Sequence, residues 1–404
     1  MLPWLCSFAS TSPESSRIVQ PAAASRYHAL DALRAAMMFL GIYLHAVVAY
    51  SPNGGWPFKP PQLTTTLDLS MIVIHVFRMP VFYVMAGFFA ALLLQRYGSR
   101  RAIANRFWRI AVPFVVGWIV IYPLAMFLAA FGRRGLDPAI DFIVSGRFLD
   151  HAHPMHLWFL EYLIVFYVLA AIVVVALPRV VPSGMRAVLL GLFRSAVRSV
   201  WAPLPLGVLS FLALLSMPHA WLDDPPGFVP AVRLVVAYGI PFGFGWLLFA
   251  NADLLDVLRR RGWLYMAVAV LACIAYLVLL FSFADRGTAF YALRAAHALA
   301  MWCLILGITG LFLRYLSGHS ALRRYLCDSS YFLYIAHLPV ILLFQLILLE
   351  VPLPPIAKIV LVLAATIAVL LPVYRCAVRP TFIGAVLNGR KYPGALAPAI
   401  VAAG

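Results

Sequence analysis

Apolar stretches of about twenty residues, each long enough to cross a bilayer core, recur along the whole chain and leave little room for anything but a membrane-crossing helical bundle. They fall near residues 30–50, 71–94, 110–131, 156–178, 201–220, 231–250, 263–283, 289–313, 329–349 and 356–374. The composition agrees: 64% of the 404 residues are hydrophobic, 11% are charged, and the mean hydropathy of +0.95 exceeds that of any soluble domain. The expected fold is an all-α integral membrane protein, a polytopic bundle of about ten transmembrane helices with both termini in the cytoplasm. Residues 201–220 form the weakest span, because Pro203, Pro205 and Pro218 interrupt it and favour a re-entrant or interfacial piece.

A net charge of +17 would suggest nucleic acid in a soluble protein. Here the charge follows the membrane, and no nucleic acid is expected. Of the 31 basic residues, 21 fall in segments assigned to the cytoplasm, five (Lys59, Arg133, Arg134, Arg147, Arg286) in external segments, and five within spans. That asymmetry sets the orientation by the positive-inside rule and points to a bacterial inner membrane. Residues 1–27 read as a flexible cytoplasmic leader, 28–378 as one membrane domain, and 379–404 as a cytoplasmic tail. The five cysteines are scattered and lack metal-type spacing.

Ionisable side chains at membrane depth are costly and mark functional sites by default. In the first span Asp31 and Arg34 share a face near the cytoplasmic end, and His45 follows eleven residues later, about 16 Å along the axis. The second span carries His75 and Arg78, with Arg78 at a depth similar to His45. The loop after it holds five arginines in fifteen residues, among them Arg106 and Arg109, one turn apart and suited to one phosphate-rich ligand or to lipid headgroups. The fourth span is entered through HAHPMHLWFLE, which brings His156, Trp158 and Glu161 in from the outside; the three histidines lack the companion ligands of a metal site, so no metal is expected. In the ninth span Ser330, Tyr334 and His337 recur on one face.

In order and position these elements resemble the integral-membrane acyltransferase 3 family: Arg34 to His45, Arg106 with Arg109, the Gly87–Phe88 step, HLWFL at 156–160 and SYFLYIAH at 330–337. Within it the patterns at 30–45, 77–89 and 156–160 are similar to the branch that O-succinylates periplasmic glucans. The resemblance implies transfer of an acyl group, succinyl in that branch, from a cytoplasmic acyl-CoA co-substrate to a periplasmic glucan, with no permanently bound cofactor. His45 is the expected general base, with Asp31 and Arg34 ordering the inner end of its helix. Arg78 is expected to stabilise the oxyanion or to select a carboxylate-bearing donor, and Arg106 and Arg109 to hold CoA. His156, Trp158, Glu161, Tyr334 and His337 are second-rank candidates for substrate positioning or proton relay. Acetyl transfer to lipopolysaccharide or exopolysaccharide, and a proton-coupled transporter, stay open as alternatives.

Overall fold

The computed structural model describes residues 27–150, 152–222, 224–225, 227–283, 287–390 and 392. The leader read at 1–27 lies outside these residues except for Tyr27, as do Lys391 and the tail beyond Tyr392. Every regular element among the described residues is helical. In chain order they are α1 (His28–Val48), α2 (Asp68–Arg106), α3 (Val112–Arg134), α4 (Leu136–Val144), α5 (Trp158–Val180), α6 (Ser183–Arg198), α7 (Pro203–Leu214), α8 (Val232–Ala250), α9 (Leu254–Ser282), α10 (Gly287–Tyr315), α11 (Ala321–Ile347), α12 (Pro355–Val373) and α13 (Phe382–Asn388).

Eight helical runs among the described residues are long and apolar enough to cross a membrane. One of them, Asp68–Arg134, has 67 residues and would span about 100 Å if straight, against a hydrocarbon core of about 30 Å. Gly98 breaks it with a positive φ of 75°, a conformation that glycine adopts without a steric penalty. Beyond that turn the Arg106 guanidinium donates to the carbonyl of Phe89, seventeen residues earlier. The chain has therefore reversed, and the run contains two crossings.

The weak span is the other irregularity. α6 and α7 are bent by 113° to one another, and α7 has only 12 residues, about 18 Å. With the reversal and this bent pair counted, the structure reaches the ten spans read from the sequence. A helix ending inside a bilayer leaves carbonyls without water. The end of α7 is served by Arg294 of α10, fully buried, which donates from Nε to Leu214 O and from Nη2 to Met217 O, both at 3.1 Å. Trp302 Nε1 adds a 2.8 Å bond to Ser210 Oγ on the same short helix. Arg294 thus supports the fold by replacing the missing solvent.

Burial separates the centre from the lipid face. In the most apolar window of α10, 72% of the residues are buried, against 22% in that of α9. The outward residues of α9, such as Val270, Leu271 and Ile274, are large, apolar and exposed, as a lipid-facing surface requires. α2 and α8 cross at very short range, since a Cβ built on Gly87 would lie 1.9 Å from Phe242 O and one on Gly245 1.9 Å from Val84 O. Small residues permit such an approach, and packing of this kind drives helix association in lipid.

Segments assigned to one side by charge meet one another in space. His28 lies against His319 at 5.6 Å, Arg194 and Arg198 pair with Asp253, and Arg324 reaches Tyr392. At the opposite end Arg133 donates to Pro57 O, and Lys358 Nζ to Gln62 Oε1 at 2.9 Å. The loop between α1 and α2 is pinned as a roof, with Phe58 buried beside Leu338 and Leu342.

Candidate active site

Three histidines from three separate elements converge beneath that roof. The ring centroids of His45 (α1) and His337 (α11) are 5.2 Å apart, those of His45 and His156 6.1 Å, and those of His156 and His337 4.8 Å. Arg78 of α2 is close enough for its charge to act on all three rings. Its guanidinium occupies the space over Gly41, one turn before His45: a Cβ there would lie 2.6 Å from Nη1. A larger residue at 41 would force the end of the Arg78 side chain to shift.

The rings are held by backbone carbonyls. His337 Nδ1 lies 2.7 Å from Tyr334 O and 3.1 Å from Leu333 O, and His156 Nε2 lies 3.1 Å from Ile335 O. The Ile335 carbonyl is available because its helical partner four residues on would be Pro339, which has no N–H. Tyr334 ties the elements together, its hydroxyl donating to His156 O at 2.6 Å. His45 is placed through its own main chain: Gln345 Nε2 donates to the carbonyls of His45 and Ala46 at 3.1 and 3.3 Å. The Gln345 Oε1 accepts from Trp56 Nε1 at 2.8 Å, which holds the indole 5.7 Å from the His45 ring. Of the other two histidines before α5, His153 packs edge-on to Tyr122 and His151 lies outside the described residues.

Asp31 and Arg34 stand with a different group. They pair at 3.3 Å, and the Arg34 guanidinium sits 5.3 Å from the Phe89 ring centroid. Arg34 and Arg106 both act electrostatically on Arg109, so three guanidiniums gather at the arginine-rich end. Arg106 lies over the Tyr167 ring at 4.9 Å, and Tyr331 donates to Arg109 O at 2.8 Å. The expected convergence of Arg106 and Arg109 takes a particular form here. Arg106 donates to Phe89 O, whereas Arg109 Nε and Nη2 both donate to Leu387 O, at 3.3 and 2.9 Å, and so cap the end of α13. The first residues of the segment read as tail therefore cover this cluster.

Trp158 and Glu161 lie one layer away. Trp158 packs 5.7 Å from both Tyr162 and Tyr238, and Tyr238 in turn acts on Arg78. Glu161 is 9% exposed, and among the described residues its Oε2 has no partner; nearby, the hydroxyl of fully buried Tyr83 has none either. Sequence reasoning did not select Gly41, Trp56, Gln345 or Tyr83. A small residue one turn before His45 and a proline two residues after His337 were the available signals.

One family model, described as an acyltransferase domain, matches residues 27–375. Glucans biosynthesis protein C of Escherichia coli strain K12 is 31% identical over 150 residues, which cover 36% of this chain and 38% of that protein. The protein of the same name from Escherichia coli O1:K1 / APEC matches to the same extent, so the alignment spans well under half the length of these relatives. No solved structure matches. With nearly all of the crossing helices inside the matched region, the chain belongs to the acyltransferase domain family and is a multi-pass membrane member of it.

Proposed function

We propose that this protein moves a succinyl group from a CoA thioester on the cytoplasmic side to a hydroxyl of a periplasmic glucan, acting in the inner membrane. The observation that carries the reading is that α1 bears an element of each polar centre. Arg34 stands in the arginine cluster at one end, and His45 stands in the histidine cluster about 16 Å farther along. A CoA donor needs cations for its phosphates, and transfer needs a base and a charge-stabilising donor at the reacting carbonyl. These requirements match the two ends.

In this mechanism the bare nitrogen of His45 takes the proton of the acceptor hydroxyl. The hydroxyl oxygen bonds to the acyl carbon, the carbon–sulfur bond breaks, and the departing thiolate recovers the proton. Arg78, whose Nε is buried without a partner among the described residues, supplies an N–H to the oxyanion or to the far carboxylate of a succinyl group. Arg34, Arg106 and Arg109 hold the CoA phosphates, with Arg109 exchanging the Leu387 carbonyl for phosphate oxygen. The likeness to glucans biosynthesis protein C supports glucan as the acceptor.

Mass spectrometry of periplasmic glucans and surface polysaccharides from cells with and without the protein tests the reading. Loss of succinyl from the glucan is expected. Loss of acetyl from a surface polysaccharide would replace donor and acceptor together, and unchanged glycans would overturn acyl transfer. At the inner cluster, Arg106→Gln is expected to raise KM for acyl-CoA by about tenfold or more, the loss of one charge-assisted contact, with kcat little changed. Arg109→Gln is expected to do the same and also to expose α13 to protease. Unaltered KM in both variants would return the pair to a topological and packing role.

A further inference from the structure

His337 and His156 each have one ring nitrogen facing a backbone carbonyl. A carbonyl oxygen only accepts, so the facing nitrogen carries the hydrogen, and in a neutral imidazole the other nitrogen is bare. For His337 the N–H is Nδ1 and the bare atom Nε2; for His156 the N–H is Nε2 and the bare atom Nδ1. Both bare atoms are buried without a partner among the described residues, His337 being 1% and His156 8% exposed. Buried acceptors are seldom left unmatched, and the nearest ring to both that is not already fixed by a carbonyl is that of His45.

We propose that His337 and His156 are positioning residues for His45, each offering a bare nitrogen to an N–H of its ring. This rests on the acyl-transfer reading above. When the acceptor binds, His337, the nearer ring, takes the single N–H of neutral His45 on its bare Nε2, a contact the structure leaves unmade, and so leaves the other His45 nitrogen free for the hydroxyl proton. Once protonated, His45 has two N–H groups, and His156 accepts the second. The imidazolium forms beside the Arg78 guanidinium, where the two neutral acceptors offset charge that no carboxylate among the site's described residues pairs directly. Neither histidine gains or loses an atom in the reaction: the proton travels from hydroxyl to His45 to thiolate.

The mirror-image arrangement of the two rings gives the idea a crossed test. A glutamine amide reaches the place of Nε2 and an asparagine amide that of Nδ1. If the bare nitrogen matters, His337→Gln keeps activity that His337→Asn loses, whereas His156→Asn keeps activity that His156→Gln loses. The losing variants are expected to fall about ten- to hundredfold in kcat, the effect of removing an acceptor from a charged donor, with KM for acyl-CoA unchanged. The opposite order at both positions, with activity following the carbonyl-bonded nitrogen, would show a packing role and overturn the proposal; so would equal activity of Gln and Asn variants at either position. Transfer by the unaltered protein is measured in parallel. Its absence overturns the acyl-transfer reading itself, whereas transfer with the wrong order of variants overturns only the inference drawn from the two rings.

Discussion

Replacing His45 by alanine is expected to lower acyl transfer by about a thousandfold or more while the protein still inserts and accumulates. The chemical loss is large because His45, within ring contact of His337, His156 and Trp56, is the member of the cluster whose ring no backbone carbonyl holds among the described residues. The structural loss is small. The helix around it is held by the buried neighbours Leu44, Ala46 and Val47, and Gln345 grips the carbonyls of residues 45 and 46, which alanine retains. The measurement is glycan acylation and CoA release per unit of folded protein. A variant that keeps a tenth of the activity would remove His45 from the role of base. His45→Gln, which preserves polarity without a usable base, is expected to be as inactive as the alanine variant. An active glutamine variant would recast His45 as a hydrogen-bonding group.

How far the site was legible differs from residue to residue. His45, Arg78, His156 and His337 each drew notice as costly polar groups within apolar runs; charge asymmetry placed the first three toward the outer end, whereas His337 was read only as part of a helical face. What a one-dimensional pattern does not carry is which rings touch. His45 and His337 are separated by nearly three hundred residues, and helix periodicity gives each a face without saying which face it meets. The division of α1 is a similar case. Asp31 and Arg34 were read at the inner end of the helix that carries His45, but that Arg34 meets Phe89 and acts on Arg109, both from other elements, is not in that pattern. Pro339 shows information that was present without being readable in isolation. It frees the Ile335 carbonyl, but that this carbonyl fixes the tautomer of His156 depends on the packing of α5 entry against α11.

The fold was more accessible because the bilayer imposes length. Nine of the ten spans appear as continuous crossings, and boundaries shifted chiefly where arginine-rich stretches turned out helical, as at the start of α9 and the end of α2. Polar helical extensions carry no hydropathy signal, so a span search stops short of them. The tenth span failed as a straight helix for the reason its prolines suggested, but the remedy was hidden. Arg294 was counted as one more basic residue inside a span, and only the three-dimensional arrangement gives it the carbonyls of Leu214 and Met217.

The largest stability effect is expected at Gly87, the small residue of the motif shared with the family. Alanine in a helix interior ordinarily improves on glycine by about 0.5–1 kcal/mol through the unfolded chain. At Gly87 the sign reverses, because the new Cβ would lie 1.9 Å from Phe242 O and 3.0 Å from Trp246 N, both backbone atoms of α8 that no side-chain rotation relieves. α2 and α8 must separate, and the contact of Gly245 with Val84 on the same crossing opens with them. Overpacking of this kind costs about 1–3 kcal/mol and more where backbone is struck, so Gly87→Ala is expected to lower the melting midpoint in detergent and Gly87→Val to prevent accumulation. Gly191 of α6 is the control, since a Cβ there meets nothing within 4 Å, and Gly191→Ala is expected to leave the midpoint unchanged or raised. The consequence reaches the site, for α2 also carries Arg78. A separated α2 would withdraw the guanidinium from the rings, and any Gly87→Ala protein that survives should lose more transfer per folded molecule than Gly191→Ala. Equal midpoints for the two alanine variants would mean that α2 and α8 do not cross as closely as their glycines indicate.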